Sequence, residues 1–412
     1  MKTLIKSAII VDPRSALHLK KRDLLIEDGV IIKIAAKIDE KKAEIIDAKG
    51  LHISSGWIDL RAQFRDPGEE FKEDIFSGLD AAKEGGFKAV VVMPTTTPAV
   101  DTKTQVEYLL RKSESHVTSL LPTGTLSAAG EGKQLSEMYD MANAGAIGFT
   151  DDKSNVGTEL MTRALEYSSN FDGLIMTFPH DPGVNPGGMI NEGSTSVKMG
   201  LKGISSFAEE IRLSRDIELL RYCGGRMHVS LISTAGSVDL IRKAKRDGLH
   251  ITAAVAAHQL MFTDEDVASF DSNLKVMPPF RSENDRKALI RGLKDGTIDA
   301  IVSDHSPEDH EHKVLEFEYA NYGISSIQTC FATANAALEK HLTIEQIIEK
   351  FTAGPARVLG LELPVIEEGE DAFLTLFCPN ETETFSKEKW RSKSINSPFL
   401  DKPLHGKVID VI

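Results

Sequence analysis

Cysteine is scarce in this chain: among 412 residues there are three, Cys223, Cys330 and Cys378. They are widely spaced, odd in number and form no Cys-x-x-Cys pair, which argues against a disulfide framework or a zinc knuckle and fits a reducing, cytoplasmic setting. Long apolar runs are also missing. No segment stays apolar for the roughly 20 residues a membrane helix needs, and the start, Met1-Lys2-Thr3-Leu4-Ile5-Lys6, has a charge at position 6 and no long apolar run after it. Neither export nor a membrane anchor is expected. Positive charge is the third shortage: 48 Lys and Arg face 62 Asp and Glu, a formal net charge of -14. That balance argues against non-specific binding to nucleic acid or an anionic membrane, both of which need a basic surface to displace counterions. Short-period repeats and low-complexity segments are absent too, although residues 181–188, Asp-Pro-Gly-Val-Asn-Pro-Gly-Gly, form a loop dense in turn formers.

What is present describes a soluble globular protein, with 41% hydrophobic and 27% charged residues. The length suits one large α/β barrel with a small appendage. Residues 1–55 read as short strands at Ser7–Val11, Asp23–Ile26 and Val30–Ile34, with a hairpin signal at Glu27-Asp28-Gly29. The C-terminal part, 363–412, carries matching strands at Ala372–Phe377 and Gly406–Ile412, too little for a core of its own. The two ends are expected to pair into one small β-domain flanking a central domain at 56–362.

In that central stretch, short apolar runs alternate with amphipathic helical segments, the pattern of βα units around a parallel sheet. Candidate strands are Trp57–Leu60, Lys88–Met93, Val117–Leu121, Ala146–Thr150, Gly173–Phe178, Arg226–Leu231, Leu249–Val255 and Ala300–Asp304. Eight strands predict an α/β fold of the (β/α)8 TIM-barrel type. Ser206-Phe207-Ala208-Glu209 reads as a capping box opening a helix through Leu220, and Asp285–Leu293 as a helix ended by Asp295-Gly296.

Reactive groups of such barrels project from the C-terminal strand ends. Strand 4 ends in Asp151-Asp152, strand 5 leads to His180-Asp181, strand 7 to His258 and strand 8 to Asp304-His305. Each has a plain structural explanation, an aspartate as a helix cap or His258 as a satisfied core imidazole. Their placement at one rim favours a shared site.

Collinear motifs then give a resemblance over nearly the whole chain. They are Gly56-Trp57-Ile58-Asp59 with Phe64-Arg65-Asp66-Pro67-Gly68, Val92-Met93-Pro94, Gly148-Phe149-Thr150-Asp151-Asp152, and Val229-Ser230 with Ser233-Thr234. Further on come Lys275 with Pro278-Pro279-Phe280-Arg281, the run Asp295 to His305, and Asn396-Ser397-Pro398-Phe399. In these the chain resembles the cyclic-amide hydrolases, and among them the dihydroorotases. The resemblance implies an amidohydrolase barrel with a zinc pair, hydrolysing dihydroorotate reversibly in pyrimidine synthesis. It assigns Asp304 as the proton-shuttling catalytic aspartate, Asp152, His180 and Asp304 as metal positions, and Arg65 as the substrate-binding arginine.

Three other metal positions of the family are replaced, by Arg61 and Gln63 where strand 1 should carry His-x-His and by Leu231 on strand 6. Residues two apart face the same side of a strand and can share a metal. A guanidinium has no lone pair to offer, stays protonated, and repels a dication. The substrate positions change as well, to Thr95, Met277 and Glu308. The remaining set would hold no zinc, or at most one ion. His305, His310 and His312 with Glu308 and Glu311 form a separate histidine-rich cluster in a polar loop, where solvated charge is the default. Arg61 is expected to pair with Asp152 or Asp304, as a fixed cation in the vacated metal position.

Two functions follow. One, implied by the resemblance, is a non-catalytic, dihydroorotase-like protein, a homodimer that supports aspartate carbamoyltransferase. The alternative is an active hydrolase of dihydroorotate or another cyclic amide, such as a hydantoin, using one metal on Asp152, His180 and Asp304. A plainer third reading is a rim that binds a small ligand without turnover.

Overall fold

The computed structural model describes residues 2–412. Strands of the two chain ends interleave in one sheet. From the N-terminal side these are β1 (Lys2–Ile10), β2 (Lys21–Glu27), β3 (Val30–Ala35), β4 (Glu44–Ile46) and β5 (His52–Ser55). After the barrel strands β6 (Trp57–Ala62), β7 (Phe87–Val92), β8 (Ser119–Pro122), β9 (Leu174–Thr177), β12 (Arg226–Val229), β13 (Ile251–Ala256) and β14 (Ala300–Val302), and the separate pair β10 (Ile190–Asn191) and β11 (Gly203–Ile204) inserted after β9, the chain returns in β15 (Leu374–Thr384) and β16 (Pro403–Val411). The sheet order is β16-β15-β5-β1-β2-β3, with β4 also on β1. Burial explains the joining: Ile5, Ile10, Leu24, Ile26 and Ile53 pack with Ile366, Leu374 and Leu376 in one cluster that neither end could close alone. The β2–β3 hairpin turns at Asp28 and Gly29, both with positive φ (49° and 80°), as a two-residue primed turn requires.

The barrel runs β6-β7-β8, then the segment around Phe149, then β9-β12-β13-β14, all pairs parallel. It closes through a bridge between Ala62 and His305. The predicted strand at Ala146–Thr150 is not a regular strand. Phe149 bridges Gly124 on one side and Ile175 on the other, with backbone bonds at Ile147, Phe149 and Thr150. Gly148, whose carbonyl accepts from the Gly124 N–H at 3.0 Å, brings two glycines together and weakens regular pairing in a position where a strand would otherwise continue. Alternation sorts the remaining side chains. Ile58, Leu60, Val91, Met93, Met176, Phe178, Leu231 and Val302 fill the barrel, while Trp57, Val90, Val92, Ile175 and Val229 meet the outer helices.

Of the two helix starts read from the sequence, one follows its local capping chemistry and one does not. The helix Glu283–Lys294 starts two residues before the predicted Asp285, because Ser282 is the cap and Asp285 completes a capping box with it. The helix Phe207–Cys223 extends past Leu220, and Ser206 makes no side-chain cap bond. The capping-box reading therefore fails there. Glu209 turns into the barrel wall instead, accepting from the backbone N–H of Ser233 (2.8 Å) and Thr234 (3.1 Å) and from the Ser233 hydroxyl. A tertiary demand for those donors overrides the local motif.

Candidate functional site at the barrel rim

Arg61 is the penultimate residue of β6; alternation from Ile58 and Leu60 would turn it outward, but the β6–β7 register shifts between Asp59 and Ala62, and the side chain sits in the barrel mouth, 1% exposed. Its Nε–H donates to Asp304 Oδ1 at 2.8 Å, and Nη2 donates to Asp152 Oδ1 at 2.5 Å. The sequence expects one of these partners; the guanidinium holds both. Met93 Sδ lies 3.4 Å from Nη1, and the Phe178 ring centroid lies 5.4 Å from the guanidinium carbon. Gln63, on the same side of the chain, donates from Nε2 to the second Asp152 oxygen at 3.0 Å. The two residues standing where His-x-His is expected thus engage Asp152 completely.

The supporting geometry is specific. Asp152 and Asp304 both lie in the left-handed region, with φ of 50° and 48°, as does Arg65 at 58°. Such conformations are uncommon outside glycine and concentrate at functional sites. Asp59, two residues before Arg61, accepts from the Ser303 N–H at 3.0 Å and from the Ser303 hydroxyl, linking β6 to the turn that carries Asp304. Burial pushes the Asp59 carboxyl up to about 7, against the lowering effect of Ser303. Burial also works against ionisation of Asp152, but Arg61, with Lys153 and Gln63, outweighs it and holds the carboxyl below its usual value. Desolvation opposes the Arg61 charge in the same way, and Asp152 and Asp304 more than offset it. The cation and its two carboxylates form one interlocked unit with a residual negative charge.

Arg65, the substrate-binding candidate, is also engaged. Its Nη2 meets Glu308 Oε1 at 2.6 Å, and Glu308 takes further contacts from Lys72 (3.1 Å) and Asn321 (3.0 Å). His180 lies in the loop after β9, half-buried. Burial lowers its pKa first, then Arg281, while Glu209 and Asp181 oppose. Its charged surroundings are therefore those of the Arg281–Glu209 network and differ from the Arg61 group. Leu231 is packed in the barrel interior.

The histidine-rich cluster does not assemble. His305 is turned inward, its Nδ1 accepting from the Ser326 N–H (3.1 Å) and its Nε2 facing Glu73 at 3.2 Å. His312 pairs with Asp309, while Glu308 serves Arg65. His258, whose plain reading was a satisfied core imidazole, is buried with neither ring nitrogen bonded. Its Nε2 stands 4.0 Å from Asp304 Oδ2, and Phe280 meets the ring edge-on at 5.6 Å. Sequence reading missed His228 and Lys153. The first sits inside a strand between apolar neighbours, and the second reads as one more lysine after an aspartate pair.

Zinc, implied by the resemblance, does not fit this residue set. The place between Asp152 and Asp304 is taken by a guanidinium that both carboxylates bind, and Leu231 presents only hydrocarbon. Among the described residues, no group of three or more His, Cys, Asp and Glu gathers as a metal-holding set. Above the Arg61 group lies a cavity of about 440 Å³ lined by Gln63, Arg65, Thr95, Asp152, Lys153 and Ser154 from one side, and by Ser306, Glu308, Asn321 and Tyr322 from the other.

The architecture is that of hydantoinase-type amidohydrolase barrels. L-hydantoinase (dihydropyrimidinase) from Arthrobacter aurescens matches with a TM-score of 0.85 at 20% identity, over 99% of this chain and 93% of that one. Dihydropyrimidinase from Brevibacillus agri matches at 0.83 and 19% identity, over 100% and 94%. At those identities the likeness is one of fold. Sequence narrows the class, since a family described as Dihydro-orotase-like matches residues 50–237. The dihydroorotase of Syntrophus aciditrophicus is 39% identical over 99% of this chain and 97% of its own length. That of Carboxydothermus hydrogenoformans is 40% identical over 98% and 95%, and that of Aquifex aeolicus 39% over 100% and 98%. The chain belongs to the dihydroorotase family.

Removing the cation should be costly. Arg61→Met leaves two buried carboxylates unpaired and is expected to lower the unfolding free energy by about 3–5 kcal/mol, read by urea denaturation. Adding Asp152→Asn and Asp304→Asn should restore most of that loss, and a fully stable single variant would contradict the pairing. Burial also pushes His258 down to about 4 and His228 to about 3. Both stay neutral in the folded chain while unfolded imidazoles protonate below about 6.5, so stability should fall as the pH drops from that value toward 4. Imidazole resonances followed by NMR should show no titration of either ring above pH 5.

Proposed function

We propose that this chain is a dihydroorotase-family protein of pyrimidine biosynthesis that does not hydrolyse dihydroorotate by itself. The observation that carries this reading is the Arg61 guanidinium bonded to both Asp152 and Asp304. Those aspartates would otherwise supply a metal-bridging carboxylate and the proton shuttle, and each is committed to a permanent cation. The second support is Glu308 seated on Arg65, which places a protein carboxylate on the group expected to take the substrate's. On this reading the role is supportive: a cytoplasmic homodimer that associates with aspartate carbamoyltransferase.

A second reading has its own support. The relatives at 39–40% identity carry the name dihydroorotase, which favours an active hydrolase of dihydroorotate or another cyclic amide with a reduced site on Asp152, His180 and Asp304. It requires Arg61 to leave both carboxylates and His180 to turn toward them.

Elemental analysis of the purified protein, paired with a dihydroorotate turnover assay at added zinc, separates the two. The proposal expects no stoichiometric zinc and no turnover above buffer, together with co-purification of aspartate carbamoyltransferase when both chains are expressed. One equivalent of zinc with turnover establishes the hydrolase instead.

A further inference from the structure

A second cavity, of about 480 Å³, opens at the end of the barrel opposite the rim, in the seam between the barrel and the sheet built by the chain ends. Ser55, on its wall, stands just before β6, six residues from Arg61 near the far end of that strand. At about 3.3 Å per residue the two places are roughly 20 Å apart. Val11, Pro13 and Arg14, which follow β1, form one wall together with Leu363. The other wall is the helix Ile344–Glu349 and the helix Ala353–Leu359 after it. Glu345, Ile348 and Glu349 lie on one face of the first helix, at the spacing that brings side chains together on a helix surface, and that face lines the cavity.

The charges on this cavity pair off with one left over. Arg14 grips Asp12 through Nε and Nη2, each at 3.0 Å, and gives its other donors to Ser55 Oγ and to the Leu363 and Pro364 carbonyls. Arg357 Nη2 donates to Glu349 Oε1 at 2.8 Å. Among the described residues, Glu345 has no ion pair within 4.0 Å. The Thr343 hydroxyl, and at longer range His18 and His52, hold its carboxyl below the usual range against partial burial, so it is ionised at neutral pH. Two glutamates one helical turn apart repel each other, and the arginine that relieves this pair reaches only Glu349. An entering anion finds both guanidiniums already matched. An entering cation finds one uncompensated carboxylate, with a second a turn away, above apolar surface from Val11, Pro13, Ile348 and Leu363.

We propose that the seam cavity binds a small organic monocation, an ammonium group on an apolar or aromatic body, with the Glu345 carboxylate as its anchor and the body packed on Val11, Pro13, Ile348 and Leu363. The volume of about 480 Å³ lies within the range of small-molecule sites, roughly 300–1,000 Å³, which favour domain boundaries and apolar walls bearing a few polar groups. One wall belongs to the sheet of the chain ends and the other to the barrel, so an occupant ties the two together and stabilises the fold by mass action. The site is separate from the rim and independent of whether the rim hydrolyses anything.

The test is calorimetric titration of the full chain, near neutral pH in low-salt buffer, with tryptamine, tryptophol and indole-3-acetate, which share an indole body and carry a cationic, neutral or anionic end. Saturable binding of tryptamine is expected, tighter than that of tryptophol, with none of indole-3-acetate. Glu345→Gln should weaken tryptamine at least about tenfold, the equivalent of about 1.4 kcal/mol, and leave tryptophol unchanged. Arg357→Gln, which frees Glu349, should strengthen tryptamine about threefold. Both positions are at least partly exposed and neither contributes to the apolar surface, so charge selectivity is read apart from folding. The thermal unfolding midpoint should rise with added tryptamine, and rise less in Glu345→Gln. Absence of saturable tryptamine binding overturns the proposal, as does equal tryptamine affinity in Glu345→Gln. Preference for indole-3-acetate also overturns it, by making Arg14 or Arg357 the anchor.

Discussion

One guanidinium, buried where it cannot reach water, sets the terms for the mouth of this barrel. Arg61 must be paired, because an isolated charge in such a place costs several kcal/mol. It is paired twice, by carboxylates from opposite parts of the barrel wall. Asp152 arrives from the fourth crossing and Asp304 from the turn after β14, so the same contact that solves the charge problem ties the wall across its mouth. Asp59 and Ser303 reinforce the tie from below, beside the Ala62–His305 closure.

A barrel rim built around metal depends on lone pairs, whereas this one depends on donors. Arg61 and Gln63 present N–H groups where acceptors are expected, and Leu231 fills with hydrocarbon the space another ligand would occupy. The same inversion recurs one layer out, where Arg65 is closed by Glu308, itself held by Lys72 and Asn321. A polar network this fully satisfied stabilises one arrangement of side chains. The neutral His258 beside Asp304, buried with neither ring nitrogen bonded, marks where the network ends.

Much of this was legible in the sequence because it follows from periodicity and residue type. The eight crossings announce themselves as apolar runs, and the chain ends join because neither set of strands closes a core alone. Arg61 could be paired with an aspartate on charge grounds before any coordinates, since a buried cation beside buried carboxylates has few alternatives. Features set by tertiary competition were not legible. Ser206 and Glu209 spell a capping box, yet the Ser233 and Thr234 amides take the glutamate. The run from His305 to His312 suggests a cluster, yet the backbone sends His305 to Glu73 and Glu308 to Arg65. Lys153 carries no motif at all, and its place on the cavity wall beside Asp152 appears only in the folded chain.

The central claim concerns what stands between Asp152 and Asp304. Crystals grown with excess zinc, measured at the zinc absorption edge, examine that position directly. The account predicts density for the Arg61 guanidinium within hydrogen-bonding distance of both carboxylates and no anomalous peak between them. An anomalous peak bridging Asp152 and Asp304, with Arg61 displaced, would contradict it.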